Sequence, residues 1–175
     1  MKILVTGAKG FIGKNLIAEL RNRHYEDILE FDIDTEEELL DKYCQESDFV
    51  FHLAGVNRPQ EQSEYMQGNF GFTSILLGTL KKHHNNCPVM LSSSIQAEQN
   101  NPYGESKKAG EDLLRAYSSE TSTDVLIYRF PNVFGKWCRP NYNSAVATFC
   151  NNVTNGLPIQ VNDPEVELKL VYIDD

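Results

Sequence analysis

The sequence is poor in cysteine and contains no long apolar segment. Its four cysteines are Cys44, Cys87, Cys138 and Cys150. They are widely spaced and form no Cys-x-x-Cys pair, which excludes both a zinc-ribbon pattern and a dense disulfide framework. The apolar run from Ile3 to Val5 is too short for a signal peptide or a membrane span. We therefore expect a cytoplasmic protein with no metal site.

Positive charge is scarce as well. The chain has 16 Lys and Arg residues against 25 Asp and Glu residues, a formal net charge of −9. This balance opposes binding to nucleic acid or to an anionic membrane unless a basic patch overrides it, and no such patch is present. The acidic run from Asp34 to Asp41 is typical of the solvated face of a helix. Neither nucleic acid nor a membrane is expected as a partner.

Short strand-like runs alternate with longer helical patterns along the chain. The predicted strands are Lys2–Thr6, Asp27–Asp32, Asp48–Leu53, Pro88–Ser92 and Val125–Arg129. The helical faces between them are Phe11, Leu16, Ile17 and Leu20, then Ile75, Leu76, Leu77 and Leu80, then Leu113, Leu114 and Tyr117. The alternation predicts an α/β fold, a Rossmann-type doubly wound parallel sheet. With 175 residues, 41% apolar and without a linker, the chain fits a single dinucleotide-binding domain over residues 1–175.

A glycine-rich turn follows the first predicted strand. Residues 6–13 read Thr-Gly-Ala-Lys-Gly-Phe-Ile-Gly and lead into an amphipathic helix that begins near Phe11 and Ile12. Gly7 allows the tight turn, Gly10 lets backbone amides approach a diphosphate, and Gly13 lets the helix pack close to the strand. The diphosphate would lie at the helix N-terminus, where unpaired N–H groups favour an anion. The turn therefore predicts a dinucleotide cofactor.

A tyrosine and a lysine follow the fourth predicted strand. Tyr103 and Lys107 are four residues apart and share one helix face. An ammonium near the phenol should lower its pKa from about 10, and such a tyrosine can protonate a carbonyl oxygen as hydride arrives. A strand-end hydroxyl would polarise that oxygen, with Ser94 the first candidate and Ser93 the second. Alone, Tyr-x-x-x-Lys is also compatible with an ordinary surface pair.

These motifs together resemble the extended short-chain dehydrogenase/reductase family. Residues 52–55 (His-Leu-Ala-Gly) match its strand end beside the cofactor, which implies cofactor contacts by Leu53, Ala54 and Gly55. Taken alone, His52 is more typical of a satisfied core histidine. Residues 129–135 match the segment that passes the nicotinamide, which implies a cofactor contact by Phe130 and a substrate contact by Asn132. The resemblance also places Tyr103 and Lys107 beside the nicotinamide and its ribose.

The resemblance extends to two further segments, one near Asn69 and one at Val171–Asp175. Asn69, Gly71 and Thr73 resemble the family's helix start behind the active site, with altered spacing, although Asn69 also fits a simple helix cap. Val171–Asp175 match a motif that precedes a substrate-binding lobe, so we expect the domain to be C-terminally incomplete. The family's arginine before that motif is absent, which leaves Lys136 and Arg139 as candidates for diphosphate contacts.

The choice of nicotinamide cofactor stays open between two forms. Asp32, at the end of the second predicted strand, could bind a ribose hydroxyl and repel a 2′-phosphate, which favours NAD(H). Lys9 lies where related NADP-dependent reductases carry a basic residue for that phosphate. Residues 31–34 also resemble dTDP-dehydrorhamnose reductases, in which the aspartate does not exclude NADP. NADP(H) is therefore favoured, with NAD(H) as the alternative.

Four segments, residues 52–59, 91–97, 101–107 and 134–144, resemble the reductase domains of capsular polysaccharide synthesis enzymes. This implies an NADPH-dependent reductase of a UDP-linked 4-keto-6-deoxy N-acetylamino sugar, on the route to UDP-N-acetyl-L-fucosamine, with Ser94 also contacting the substrate. Full-length members carry a cupin domain that is absent here, and the resemblance leaves room for a homo-oligomer of the full-length protein. The alternatives are an NAD-dependent sugar-nucleotide epimerase and an inactive cofactor-binding fragment. Ile95 and Gln96 after Ser94 argue against a dehydratase, which needs an Asp-Glu pair there.

Overall fold

The computed structural model describes residues 1–175, which divide into two compact units, Met1–Arg129 and Phe130–Asp175. The first unit carries strands β1 (Ile3–Thr6), β2 (Ile28–Phe31), β3 (Phe49–His52), β4 (Val89–Ser94) and most of β5 (Val125–Phe130). Its helices are α1 (Phe11–Asn22), α2 (Glu37–Glu46), α3 (Ser63–Tyr65), α4 (Phe72–Lys82) and α5 (Pro102–Thr121). A π-helical segment (Met66–Gly71) joins α3 to α4, and a 3₁₀ turn (Ile95–Glu98) follows β4.

The five strands form one sheet in the order β2-β1-β3-β4-β5. β1 runs parallel to both β2 and β3, and β3 runs parallel to β4. Parallel neighbours place the carboxyl ends of β1, β3 and β4 at one edge, where Thr6, His52 and Ser94 end their strands. Ligands of open α/β sheets bind at that edge, so the topology brings the glycine turn and the strand-end serine to the same side.

Helices cover both faces of the sheet. Alternate β1 side chains enter different cores: Leu4 joins the larger one, whereas Ile3 and Val5 join the smaller one with α1. This alternation follows from the two-residue period of a strand. The predicted Rossmann-type doubly wound parallel sheet is confirmed, and every predicted strand is present with its ends within two residues.

The fourth helix departs from the predicted pattern in two ways. Ile75 was expected on the covered face, yet it is 59% exposed, while Leu76, Leu77 and Leu80 are buried. Asn69 is not a helix cap, because it is buried within the π-helical segment. The covered face of α4 is therefore completed by Thr73, which is 1% exposed, rather than by Ile75.

The second unit is small. It contains β6 (Asn132–Phe134), α6 (Ala145–Thr154) and β7 (Leu170–Tyr172), and β6 pairs in parallel with β7. Ser144 caps α6 by accepting a hydrogen bond from the Ala147 amide at 3.2 Å. None of these three elements was predicted. None of the helices in either unit has the length and apolar character needed to cross a membrane.

Candidate active site

The glycine turn between β1 and α1 is closely packed. Gly7 has φ +69°, and a Cβ there would lie 2.7 Å from the Ala54 amide nitrogen. A Cβ on Gly13 would overlap the Gly7 carbonyl oxygen. Gly10 is the N-cap residue of α1, and no side chain caps the amides of that first turn. The turn therefore fits the diphosphate of a dinucleotide, because the amides of the first turn of α1 have no side-chain cap and the glycines leave no Cβ in their way.

The end of β2 lies against the same turn. Asp32 accepts the Lys9 amide at 2.7 Å and the Ile33 amide at 2.8 Å, so its carboxylate fixes the turn. The Lys9 ammonium pairs with Asp34, and this contact raises the pKa of Lys9 and lowers that of Asp34. Both predicted cofactor residues, Lys9 and Asp32, thus lie at the turn, and Lys9 already has a carboxylate partner.

His52, at the end of β3, is held in a hydrogen-bond chain. The Thr73 hydroxyl donates to the Asn69 carbonyl at 2.5 Å, so it must accept from His52 Nε2 at 2.8 Å. His52 Nδ1 then accepts from the Thr6 hydroxyl at 2.7 Å, and Thr6 accepts the Ala54 amide at 3.3 Å. Burial, with the Lys107 charge, lowers the pKa of His52 to about 3. The interpretation of His52 as a satisfied core histidine is confirmed, and its neutral tautomer follows from the donors.

The predicted catalytic residues come together at the start of α5. Asn101 caps this helix by accepting the Gly104 amide at 2.8 Å. The Lys107 ammonium donates to the Ser92 carbonyl at 3.1 Å and lies 5.9 Å from the centre of the Tyr103 ring. Tyr103 has Ser94 as a hydrogen-bond partner. Helix α5 and strand β4 therefore place these groups side by side.

The electrostatics of Tyr103 differ from the prediction. Burial raises the pKa of its phenol, and the hydrogen bond with Ser94 offsets this only in part. Lys107 is not among the groups that shift the pKa of Tyr103. Its ammonium donates to the Ser92 carbonyl, and burial lowers its own pKa to about 8. The expected lowering of the Tyr103 pKa by Lys107 is therefore wrong for this arrangement. The phenol stays protonated at neutral pH, as a proton donor must.

The two candidate serines have different surroundings. The Ser93 hydroxyl donates to Glu111 at 2.6 Å and is committed to that contact. Ser94 lies beside Tyr103 and accepts the Gln96 amide at 3.2 Å. The geometry therefore favours Ser94 over Ser93 for polarising a carbonyl oxygen.

Three further residues near this centre were not predicted as site residues. The Tyr65 ring lies 5.7 Å from the Tyr103 ring. Asn69 accepts the Val56 amide at 3.0 Å, and its Oδ1 would lie 2.6 Å from a Cβ on Gly55. Glu111 is fully buried. Two of them had a sequence signal: Asn69 belongs to the motif that resembles the family's helix start behind the active site, and Glu111 follows Lys107 by four residues on the same helix face.

The remaining predicted residues belong to the second unit. They are Phe130, Asn132, Lys136 and Arg139. The Asn132 amide donates to the Lys169 carbonyl at 3.1 Å, and Lys136 pairs with Asp174 at 3.0 Å. The Arg139 guanidinium lies 5.7 Å from the Tyr142 ring. Asn132 and Lys136 thus connect β6 with the segment around β7.

The sequence matches one known protein family over nearly its whole length. The pattern of the NAD dependent epimerase/dehydratase family matches residues 3–175. The chain belongs to this family. Its glycine turn, strand-end serine and Tyr103/Lys107 helix are accordingly placed within an epimerase/dehydratase scaffold.

Two relatives are similar over the whole chain. The UDP-2-acetamido-2,6-beta-L-arabino-hexul-4-ose reductase of Pseudomonas aeruginosa is 47% identical over 175 residues, which are 100% of this chain and 47% of that protein. The crystal structure of the capsular polysaccharide assembling protein CapF from Staphylococcus aureus matches with a TM-score of 0.89 at 48% identity, over 100% of this chain and 46% of that one. The resemblance to capsular polysaccharide reductases is confirmed. The chain spans about half the length of these relatives.

More distant structures share the fold. The UDP-glucuronic acid 4-epimerase from Bacillus cereus, solved in complex with NAD, matches with a TM-score of 0.85 at 23% identity, over 99% of this chain and 70% of that one. UDP-glucuronate 4-epimerase 6 of Arabidopsis thaliana is 27% identical over 231 residues, with 100% of this chain and 49% of that protein covered. Reductases and epimerases are therefore both represented among its relatives.

Proposed function

We propose that this chain is the cofactor-binding and catalytic part of an NADPH-dependent reductase. Its substrate is a UDP-linked 4-keto-6-deoxy N-acetylamino sugar used in capsular polysaccharide precursor synthesis. The observation that carries the proposal is the meeting of Ser94, Tyr103 and Lys107 at the sheet edge that also bears the glycine turn. The 47% identity to the Pseudomonas reductase supports the choice of substrate.

The glycine turn is the proposed cofactor cradle. Gly7, Gly10 and Gly13 let the amides at the start of α1, including those of Phe11 and Ile12, approach the diphosphate. Leu53, Ala54 and Gly55 are proposed as further cofactor contacts, which the closeness of the Leu53 and Ala54 backbone to Gly7 supports. Phe130 is kept as a proposed nicotinamide contact on the strength of its motif alone.

The proposed chemistry is proton donation to a ketone. The nicotinamide, when bound, supplies the hydride. Tyr103 donates its phenolic proton to the carbonyl oxygen of the sugar, and Ser94 donates a hydrogen bond to the same oxygen. The Lys107 ammonium holds the ribose hydroxyls and adds positive charge where negative charge develops. Asn132, Lys136 and Arg139 are proposed contacts for the sugar nucleotide.

The position of Lys9 is the reason for proposing NADPH rather than NADH as the cofactor. Its ammonium stands at the turn beside Asp32, whose two oxygens already accept backbone amides. A carboxylate occupied in this way has less capacity to select a ribose hydroxyl. Asp34 opposes the proposal in part, because it competes with a 2′-phosphate for Lys9.

The test is a coupled measurement of binding and turnover. We expect NADPH to bind more tightly than NADH, and the UDP-linked 4-ketosugar to be reduced with loss of NADPH absorbance at 340 nm. If the protein instead retains NAD through purification and interconverts two UDP-sugars with no net oxidation of cofactor, the reductase proposal fails and the epimerase alternative is correct.

A further inference from the structure

One face of α5 contacts β4 at successive turns. Tyr103, Lys107 and Glu111 follow one another at four-residue spacing, which aligns them along the helix. The first two contact Ser94 and the Ser92 carbonyl, as described above. Glu111 makes the third contact, because it accepts a hydrogen bond from Ser93, the residue between Ser92 and Ser94. The strand and the helix are therefore joined by one contact beyond those of the proposed catalytic groups.

Glu111 also binds the neighbouring strand β5. Arg129 donates to both carboxylate oxygens, from Nε at 2.7 Å and from Nη2 at 2.7 Å. Its remaining nitrogen, Nη1, donates at 2.6 Å to Glu98, the last residue of the 3₁₀ turn that follows Ser94. Arg115 adds a longer contact of 3.4 Å to Glu111. A planar guanidinium bound in this paired manner fixes direction as well as distance.

The carboxylate of Glu111 is charged despite its burial. Burial alone would raise its pKa, but hydrogen bonds from Arg129 and Ser93 outweigh this effect and lower it. A buried ion pair often contributes little net stability compared with apolar residues of the same size. A positional role accounts for such a costly group bound to Ser93, the residue next to Ser94 in the chain, better than a purely stabilising one does.

We propose that Glu111 is a positioning residue that fixes β4 against α5, and thereby sets the separation of Ser94 from Tyr103 and Lys107. Ser93 links Glu111 to β4, and Arg129 braces Glu111 from β5. The inference rests on the proposed function, because it assigns Glu111 a role through the groups that perform that reaction. A displacement of about 1 Å in such groups is enough to lower a rate about 100-fold.

The test compares Ser93→Ala and Glu111→Gln with Asp112→Asn. Asp112 is the matched control, since it lies next to Glu111 on α5 but pairs only with the exposed Lys108. Ser93→Ala removes one hydrogen bond and little volume. We expect it to keep NADPH affinity and Tm near the unmodified values while kcat with the UDP-linked 4-ketosugar falls at least about tenfold. Glu111→Gln should lower kcat at least as much and also lower Tm, and Asp112→Asn should change neither.

A second measurement tests the arrangement of the proposed catalytic groups and does not require turnover. The Lys107 side-chain carbon signal, followed by NMR against pH, reports the pKa of about 8 that burial imposes on this ammonium. We expect this pKa to move in Ser93→Ala and Glu111→Gln, and to stay unchanged in Asp112→Asn. If both variants lower Tm alone, with kcat, its pH profile and the Lys107 pKa unchanged, Glu111 is merely structural and the proposal is wrong. If the unmodified protein reduces no ketosugar, the proposed function fails, while the Lys107 titration still decides whether Glu111 sets this geometry.

Discussion

The Tyr103 phenol and the Lys107 ammonium are subject to the same physical effect, loss of water. Burial disfavours the charged form of each, so it raises the pKa of the phenol and lowers that of the ammonium to about 8. At neutral pH the phenol keeps its proton and the ammonium keeps its charge. This combination suits reduction of a ketone, in which a proton must be donated beside a positive charge.

The Tyr103→Phe variant tests that assignment. It deletes the phenolic hydroxyl and keeps the ring, so cofactor affinity should be unchanged while kcat falls about 10²- to 10⁴-fold. Tyr65→Phe is the matched control, because its ring neighbours Tyr103 but its hydroxyl makes only a long 3.5 Å contact with the Asn57 carbonyl. Activity of Tyr103→Phe above about a tenth of the unmodified value, measured by NADPH consumption, would assign the proton to another group.

The proposed selection of NADPH over NADH depends on two opposite charges at the turn, those of Lys9 and Asp34. Lys9→Ala should weaken NADPH binding more than NADH binding, since only NADPH carries the 2′-phosphate. Asp34→Asn should have the opposite effect and strengthen NADPH binding, because it frees the Lys9 ammonium from a competing carboxylate. Fluorescence titrations with both cofactors measure this ratio.

The control for these titrations is Lys14→Ala, which removes an exposed ammonium from α1 and keeps the backbone amide that donates to the Gly10 carbonyl. We expect Lys14→Ala to leave the NADPH to NADH ratio unchanged. Equal losses of both cofactors in Lys9→Ala would mean that Lys9 only shapes the loop, and a clear NADH preference in the unmodified chain would contradict the NADP assignment.

At the scale of elements, the His52 hydrogen-bond chain ties β1, β3 and α4 together and makes stability depend on pH. His52 is neutral in the fold, with a pKa of about 3, whereas an unfolded histidine has a pKa of about 6.5. Its contribution is therefore complete above pH 6.5 and is lost as pH falls toward 3. The loss is at most about 1.4 kcal/mol per pH unit, or roughly 3 kcal/mol by pH 4.5.

Urea denaturation between pH 4.5 and 6.5 measures this effect. Carboxylates whose pKa values are lowered by their partners, Asp34, Asp41, Glu46 and Glu111, lose their contributions mainly below this window. In His52→Gln the unfolding free energy should be lower overall and nearly independent of pH across the window. A flat profile for the unmodified chain would show that protonated His52 is tolerated in the fold.

Local elements were predictable because their signals are local. Apolar periodicity located the strands of the first unit, and the glycine spacing located the turn against α1. The π-helical segment at Asn69 was not predictable, because it depends on side-chain contacts with Val56 and Ser106, which lie 13 and 37 residues away in sequence. The contact of Arg129 with Glu111 is also non-local, because 18 residues separate the two in sequence. The short strands β6 and β7 are more than thirty residues apart in sequence, so no local pattern predicts that they pair.

For the whole molecule, the groups proposed for cofactor binding and proton transfer lie almost entirely in the first unit. Phe130 is the one proposed cofactor contact outside Met1–Arg129. The chain spans about half the length of the Pseudomonas reductase and of the Staphylococcus CapF protein. Cofactor binding should therefore be measurable on the 175-residue chain itself, and a ligand that binds only the folded state must stabilise that state.

We expect NADPH at 100 times its Kd to raise the unfolding free energy of the chain by about 2.7 kcal/mol. Gly7→Ala should abolish this increase and lower the basal Tm, because φ is +69° there and the new Cβ would lie 2.7 Å from the Ala54 amide nitrogen. The matched control is Gly78→Ala in α4, where a Cβ meets nothing within 4 Å. That variant should keep the full NADPH effect and gain up to about 1 kcal/mol from better helix propensity. Thermal melts of the unmodified chain and of both variants, with and without NADPH, measure the basal Tm and the stabilisation by NADPH. An undiminished NADPH effect in Gly7→Ala would place the cofactor away from the glycine turn, whatever the basal Tm.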